Sequence, residues 1–161
     1  MHNAYIGIGT NIEPRFERIR VAIDSLRQFG IIERKSSIYE TAPYGVTDQP
    51  DFLNAVILLR TELELHELHT GLRNLEKELG RTERPRWHQR EIDFDILFYD
   101  DVIFDSENLT VPHSELHHRS FVLVPLNEIA PDFIHPVFRR SMSLLLQGLS
   151  FEKNTIHLIN M

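Results

Sequence analysis

The chain has 161 residues, 42% of them hydrophobic and 25% charged, which suits one domain with a real core over 1–161. It has no cysteine, which excludes disulfides and thiolate metal sites and fits a reducing cytoplasm, and a net charge of −7 leaves no global basic footprint for nucleic acid. No apolar run approaches a membrane span, and the N-terminus lacks a basic region followed by a long apolar stretch, so neither a membrane anchor nor a signal peptide is expected.

"NAYIGIGTN" alternates apolar and small residues and predicts a strand ending at Gly9. Residues 11–29 predict a helix, with Pro14 near its first turn, Ile19, Ala22, Ile23 and Leu26 at helical spacing, and Gly30 as its stop. "IIERKSSIYET" predicts a second strand, "APYGVTDQPD" a loop, and "FLNAVILLRTEL" a third strand. "ELHELHTGLRNLEKELG" predicts an amphipathic helix with Leu65, Leu68, Leu72, Leu75 and Leu79 on one side and Gly80 behind it. The polar loop "RTERPRWHQR" leads into a fourth strand, "EIDFDILFY". A turn and short strand follow, then a short helix in "FVLVPLNEIAP" despite Pro125, another in "SMSLLLQGL", and a final strand in "NTIHLIN". The order β-α-β-β-α-β over the first hundred residues predicts an α+β, ferredoxin-like antiparallel sheet with helices on one face, plus C-terminal additions.

The chemistry concentrates in the fourth strand and the loop before it. Alternation puts Ile92, Phe94, Ile96 and Phe98 on one face, and Asp93, Asp95, Leu97 and Tyr99 on the other. Two carboxylates on one strand face repel and lose hydration, and a divalent cation relieves both costs. The D-x-D pattern by itself fits an exposed pair on an edge strand equally well. The loop tips the balance. Arg81, Arg84, Arg86 and Arg90 stand against Glu83 alone, a local surplus of positive charge in an acidic chain. Only 3 of the 17 basic residues are lysines, and the arginine fork suits phosphate. Carboxylates, metal and surplus arginine together point to a polyphosphate. There is no G-x-x-x-x-G-K-[ST], "GIGTNI" lacks the third glycine of a dinucleotide fingerprint, and neither G-x-S-x-G nor H-E-x-x-H occurs. Trp87, the only tryptophan, sits in the polar loop, where a residue that large packs on something.

Several motifs in order carry a resemblance: "YIGIGTN", "SSIYETAPYG", "DQPDFLN", "LEKELGRT", "RWHQREIDFDIL", "LTVPH", "RSFVLVPL" and "EIAP". Together the chain resembles the 6-hydroxymethyl-7,8-dihydropterin pyrophosphokinase family up to about Pro136. The resemblance implies an enzyme that moves the β,γ-pyrophosphoryl group of ATP to the pterin hydroxymethyl, giving AMP and the pterin diphosphate for folate synthesis. It implies two Mg²⁺ ions on Asp93 and Asp95, and catalytic roles for Arg81 and Arg90. ATP contacts fall on Glu76, Arg84, Trp87, Ile96, Thr110, His113 and Arg119. Pterin contacts fall on Thr41, Ala42, Tyr44, Phe52, Asn54 and Phe121. It further implies small-molecule partners only, a monomer, no nucleic acid and no membrane. The chain departs from the commonest family form, R-W-G-P-R, by carrying His88 and Gln89, and "ERPR" displaces Arg84 by one place. No side chain stands out as general base. Two rivals remain open here: a metal-dependent nucleotide-binding module without turnover, and a nucleotidyl enzyme with paired aspartates on the same fold. AMP release separates them.

Overall fold

The computed structural model describes residues 1–43, 47–82, 84–85, 88–149 and 156–159. Strand β1 (His2–Thr10) lies inside the main sheet, antiparallel to β4 (Phe52–Thr61) on one side and to the edge strand β5 (Asp93–Tyr99) on the other. Beyond β4 run β2 (Ile31–Lys35) and β3 (Ile38–Thr41), and β8 (Ile156–Ile159) pairs with β3. The run expected as one strand over 31–41 is therefore two. At the break, Ser36 donates its N–H to the carbonyl of Val56, and its hydroxyl accepts the N–H of Val56, both at 2.9 Å. A side chain thus does the work of a ladder position and lets the edge bend.

Helices α1 (Arg15–Ser25) and α2 (Leu65–Glu78) cover one sheet face. Helix α1 starts later than its pattern predicts, with Pro14 as its first flanking residue, and Leu26–Phe29 continues as a 3₁₀ turn. In α2, Leu68, Leu72 and Leu75 are buried at i, i+4, i+7, which seats the helix on β1 and β5. The side chain of Glu67 reaches back to accept the N–H of Glu64, closing the helix start.

The expectation of helices on one face holds for α1 and α2, and the C-terminal additions cover the other face. Helix α3 (Ser120–Ile129) lays Val122, Leu123 and Leu126 on Val56 and Leu97, and α4 (Met142–Gln147) packs on α3. Pro125 lies inside α3 and is buried. A short hairpin, β6 (Phe104–Asp105) and β7 (Thr110–Val111), follows β5. Simple alternation fails at the end of β5. Tyr5 pairs with Phe98 and Ile6 with Ile96, so Leu97 is an extra residue, a bulge. Phe98 consequently joins Leu97 on the α3 side, and Tyr99 turns to the α1–α2 side, the reverse of the predicted facing.

Candidate active site

The cavity sits on the sheet face that α3 only partly covers. Its volume is about 260 Å³. Its floor is built across three strands. Gly9 pairs with Asn54 on one side and Asp93 on the other, and Gly7 pairs likewise with Val56 and Asp95. Two glycines in β1, between β4 and β5, leave the floor bare of side chains between an amide–aromatic half and a carboxylate half.

On one half, Phe52 and Asn54 project from β4 into the cavity, with Thr41 and Ala42 beside them and Phe121 from the first turn of α3. Asn54 Nδ2 donates to Thr41 Oγ1 at 2.6 Å, which fixes the amide plane. The Arg119 guanidinium lies 5.7 Å from the centroid of the Phe121 ring and lines the same space.

On the other half stand Asp93, Asp95, Arg81, Arg90, His113 and His88. Helix α2 ends in a turn that explains Arg81. Gly80 adopts φ 97°, its N–H reaches the carbonyl of Lys77, and the N–H of Arg81 reaches back to Glu76. This closure needs glycine, and it turns the chain so that Arg81 lies over its own helix end. Arg81 then bridges Glu76 and Asp93, each at 2.9 Å. Glu76 also accepts the N–H of Phe94 at 2.8 Å and pairs with Arg73 at 3.2 Å. Burial pushes the Glu76 carboxyl up to about 7, and the Asp93 charge adds to this against the pull of both arginines. The Asp93 carboxyl is raised by burial first and by Asp95 second. His113 accepts the N–H of Glu115 on Nδ1 at 3.2 Å, which leaves Nε2 as its donor.

A second cavity of about 240 Å³ adjoins the first and shares Asp95 and His113 with it. Ile96 and Thr110 line it, together with Arg73. Glu76 lines neither cavity but lies beneath the first. Arg84 also lines neither, since its guanidinium pairs with Glu91 at 2.6 Å. Burial alone would raise the Glu91 carboxyl, but that bond and the amide of Thr82 outweigh it and hold it down at about 2. Tyr44 and Trp87 lie outside the described residues. Sequence reasoning did not single out Gly7, Gly9, Glu91 or Arg73.

No set of three or more histidine, aspartate or glutamate side chains among the described residues forms a metal cage. Two carboxylates, one raised by its neighbour's charge, fit a different demand. Mg²⁺ takes one or two carboxylates and fills its shell with water and phosphate oxygens.

The model for the family 7,8-dihydro-6-hydroxymethylpterin-pyrophosphokinase (HPPK) matches residues 5–131. The 2-amino-4-hydroxy-6-hydroxymethyldihydropteridine pyrophosphokinase of Aquifex aeolicus (strain VF5) is 42% identical over 142 residues, 88% of this chain and 89% of that one. The protein of the same name from Haemophilus influenzae (strain ATCC 51907 / DSM 11121 / KW20 / Rd) is 41% identical over 138 residues, 84% and 86% of the two chains. Among solved structures, wild-type Plasmodium falciparum HPPK-DHPS crystallised with pteroate aligns at a TM-score of 0.75 and 15% identity, a likeness of fold. That match spans 91% of this chain and 42% of the Plasmodium chain. With the match running from β1 through α3 and taking in both halves of the cavity, the chain belongs to the 7,8-dihydro-6-hydroxymethylpterin-pyrophosphokinase family.

Proposed function

We propose that this chain transfers the terminal pyrophosphoryl group of ATP to the hydroxymethyl oxygen of 6-hydroxymethyl-7,8-dihydropterin, releasing AMP and the pterin diphosphate for folate synthesis. One observation carries the reading: a single cavity joins an amide–aromatic half to a half with paired carboxylates and arginines.

The pterin is a flat, polar heterocycle. Phe52 and Phe121 offer aromatic faces, Asn54 reads the ring edge in plane, and Thr41 and Ala42 border it. The ATP phosphates take the other half. Arg90, Arg119 and the Nε2 donor of His113 bind phosphate oxygens, and Arg81 stabilises the charge that develops as the Pα–O–Pβ link breaks. Arg81 reaches the phosphates by leaving Asp93, which frees that carboxylate for a cation. Arg84 reaches the nucleotide by letting go of Glu91. The adenosine takes the second cavity, against Ile96 and Thr110, with Glu76 holding the wall between. By the family resemblance, Trp87 would contact the nucleotide and Tyr44 the pterin.

Asp93 and Asp95 would hold two Mg²⁺ ions together with the phosphates. When bound, these ions supply charge neutralisation and orientation of the transferred group. The protein's own share is positioning: it holds the hydroxymethyl oxygen in line with the β-phosphorus and keeps water away from it. A single domain acting as a monomer in the cytoplasm is the simplest setting, and sedimentation checks the oligomeric part.

The test is AMP release from ATP. The expected result is AMP formation that requires both the hydroxymethyl pterin and Mg²⁺. Binding without AMP would favour a ligand-binding module. Release of free pyrophosphate would favour a nucleotidyl enzyme.

A further inference from the structure

Asn11 directly follows β1, is 1% exposed and lines neither cavity. Its side-chain amide is nevertheless fully engaged in two directions. Nδ2 donates to Gln49 Oε1 and to the carbonyl of Pro50, each at 2.9 Å. Oδ1 accepts the N–H of Arg90 at 2.9 Å, and the backbone N–H of Asn11 donates to the Arg90 carbonyl at 3.1 Å. Next to it, Thr10 Oγ1 donates to the carbonyl of Glu91 at 2.6 Å. Gln49 and Pro50 belong to the loop that delivers Phe52 and Asn54. Arg90 and Glu91 close the loop that delivers the phosphate-facing arginines.

The chemistry of this position is specific. An apolar residue of the same size would leave the N–H of Arg90 and the carbonyl of Pro50 without their partner. A carboxylate would keep the Arg90 half and lose both donors of the other half. A planar amide is the side chain that satisfies one donor and two acceptors from two separate loops at once. Because the amide is rigid, a shift of one loop moves the plane on which the other loop rests.

We infer that Asn11 is a positioning residue that couples the two substrate halves: ordering one loop around its ligand favours the bound arrangement of the other. Coupling of this kind is reciprocal, so the pterin tightens ATP by the same factor as ATP tightens the pterin. The inference rests on the assignment of Phe52 and Asn54 to the pterin and Arg90 to the ATP phosphates.

The experiment is calorimetric titration of the full chain with Mg²⁺ and α,β-methylene-ATP, in the presence and absence of the hydroxymethyl pterin. Wild type is expected to gain at least about fivefold in affinity from the second ligand, the lower end of typical coupling. Asn11→Asp is expected to bring that factor close to one while each ligand alone binds within about threefold of wild type. Gln49→Ala removes one of the two bonds on the pterin side from a half-exposed residue, and lowers the factor partway. If Asn11→Asp fails to fold, Gln49→Ala decides the matter by itself. An undiminished coupling factor in the folded variants overturns the inference, as does a uniform loss of both affinities with coupling intact. The site assignment is tested separately by Asn54→Ala: pterin affinity untouched by that change overturns the assignment and with it the inference, whereas weakened pterin affinity there, with coupling undiminished in Asn11→Asp, overturns the inference alone.

Discussion

Asp93 and Asp95 stand two residues apart on one strand, yet their surroundings differ. Asp93 is half-buried, bonded to Arg81, and raised by burial and by the charge of Asp95. Removing Asp95 should therefore relieve the fold while disabling the reaction. Asp95→Ala is expected to lower turnover at least about 100-fold and to leave the urea midpoint unchanged or higher. Wild-type turnover in that variant would remove Asp95 from the proposed metal site. Gly9 makes a second residue-scale case. A Cβ there would stand 2.9 Å from Asn54 Oδ1, and the Asn54 amide is fixed by Thr41. Gly9→Ala is expected to weaken pterin binding roughly tenfold through the loss of about one hydrogen bond, with ATP-analogue binding little changed. Equal losses for both ligands would place the effect outside the pterin half.

At the scale of elements, the described ends of the chain connecting α2 to β5 are each anchored, and Arg84 is tied to Glu91. The turn at Gly80 sets where it starts, Asn11 and Thr10 pin where it finishes, and Glu91 draws in Arg84 and the N–H of Thr82. The acidic anchor is charged over the whole working pH range, because its carboxyl is held down at about 2. Glu91→Gln removes the charge from this clasp. The amide of Thr82 should then exchange roughly tenfold faster, while core amides of β1 and β4 keep their protection. Unchanged exchange at Thr82 would mean that Glu91 does not hold the loop.

At the scale of the whole molecule, the sheet is a partition between two cores, and the second core is closed by the C-terminal third of the chain. His135 is a buried member of that closure. Its Nδ1 accepts the N–H groups of Val137 and Phe138, each at 3.1 Å, and its ring stacks on Phe138. Burial, and then the nearby His117, lower its pKa from 6.5 to about 4. Between those values the unfolded chain binds a proton that the native chain refuses. Stability from this group is therefore complete above pH 6.5 and is lost as pH falls towards 4, by up to about 3 kcal/mol. His135→Asn keeps an acceptor and removes the titration. Urea midpoints measured from pH 7 to pH 5 should fall less steeply in the variant, and parallel slopes would show that His135 does not titrate on unfolding.

The sequence alone determined the alternation of strands and helices, though not the division of 31–41 into two strands, together with the antiparallel α+β class and the family, because hydrophobic periodicity, turn residues and ordered motifs are local properties. It also marked the paired aspartates and the arginine-rich loop, since an unusual local charge pattern is visible without a fold. It could not determine the facing of Phe98 and Tyr99, which depends on the register of β5 against β1 and on the bulge at Leu97. Nor could it foresee that the glycines of "GIG" floor the cavity, that Glu91 claims Arg84, or that Asn11 joins two loops about forty and eighty residues further along the chain. Those relations exist only between residues far apart in the chain. Strand pairing and helix closure bring them together, so only the tertiary structure decided them.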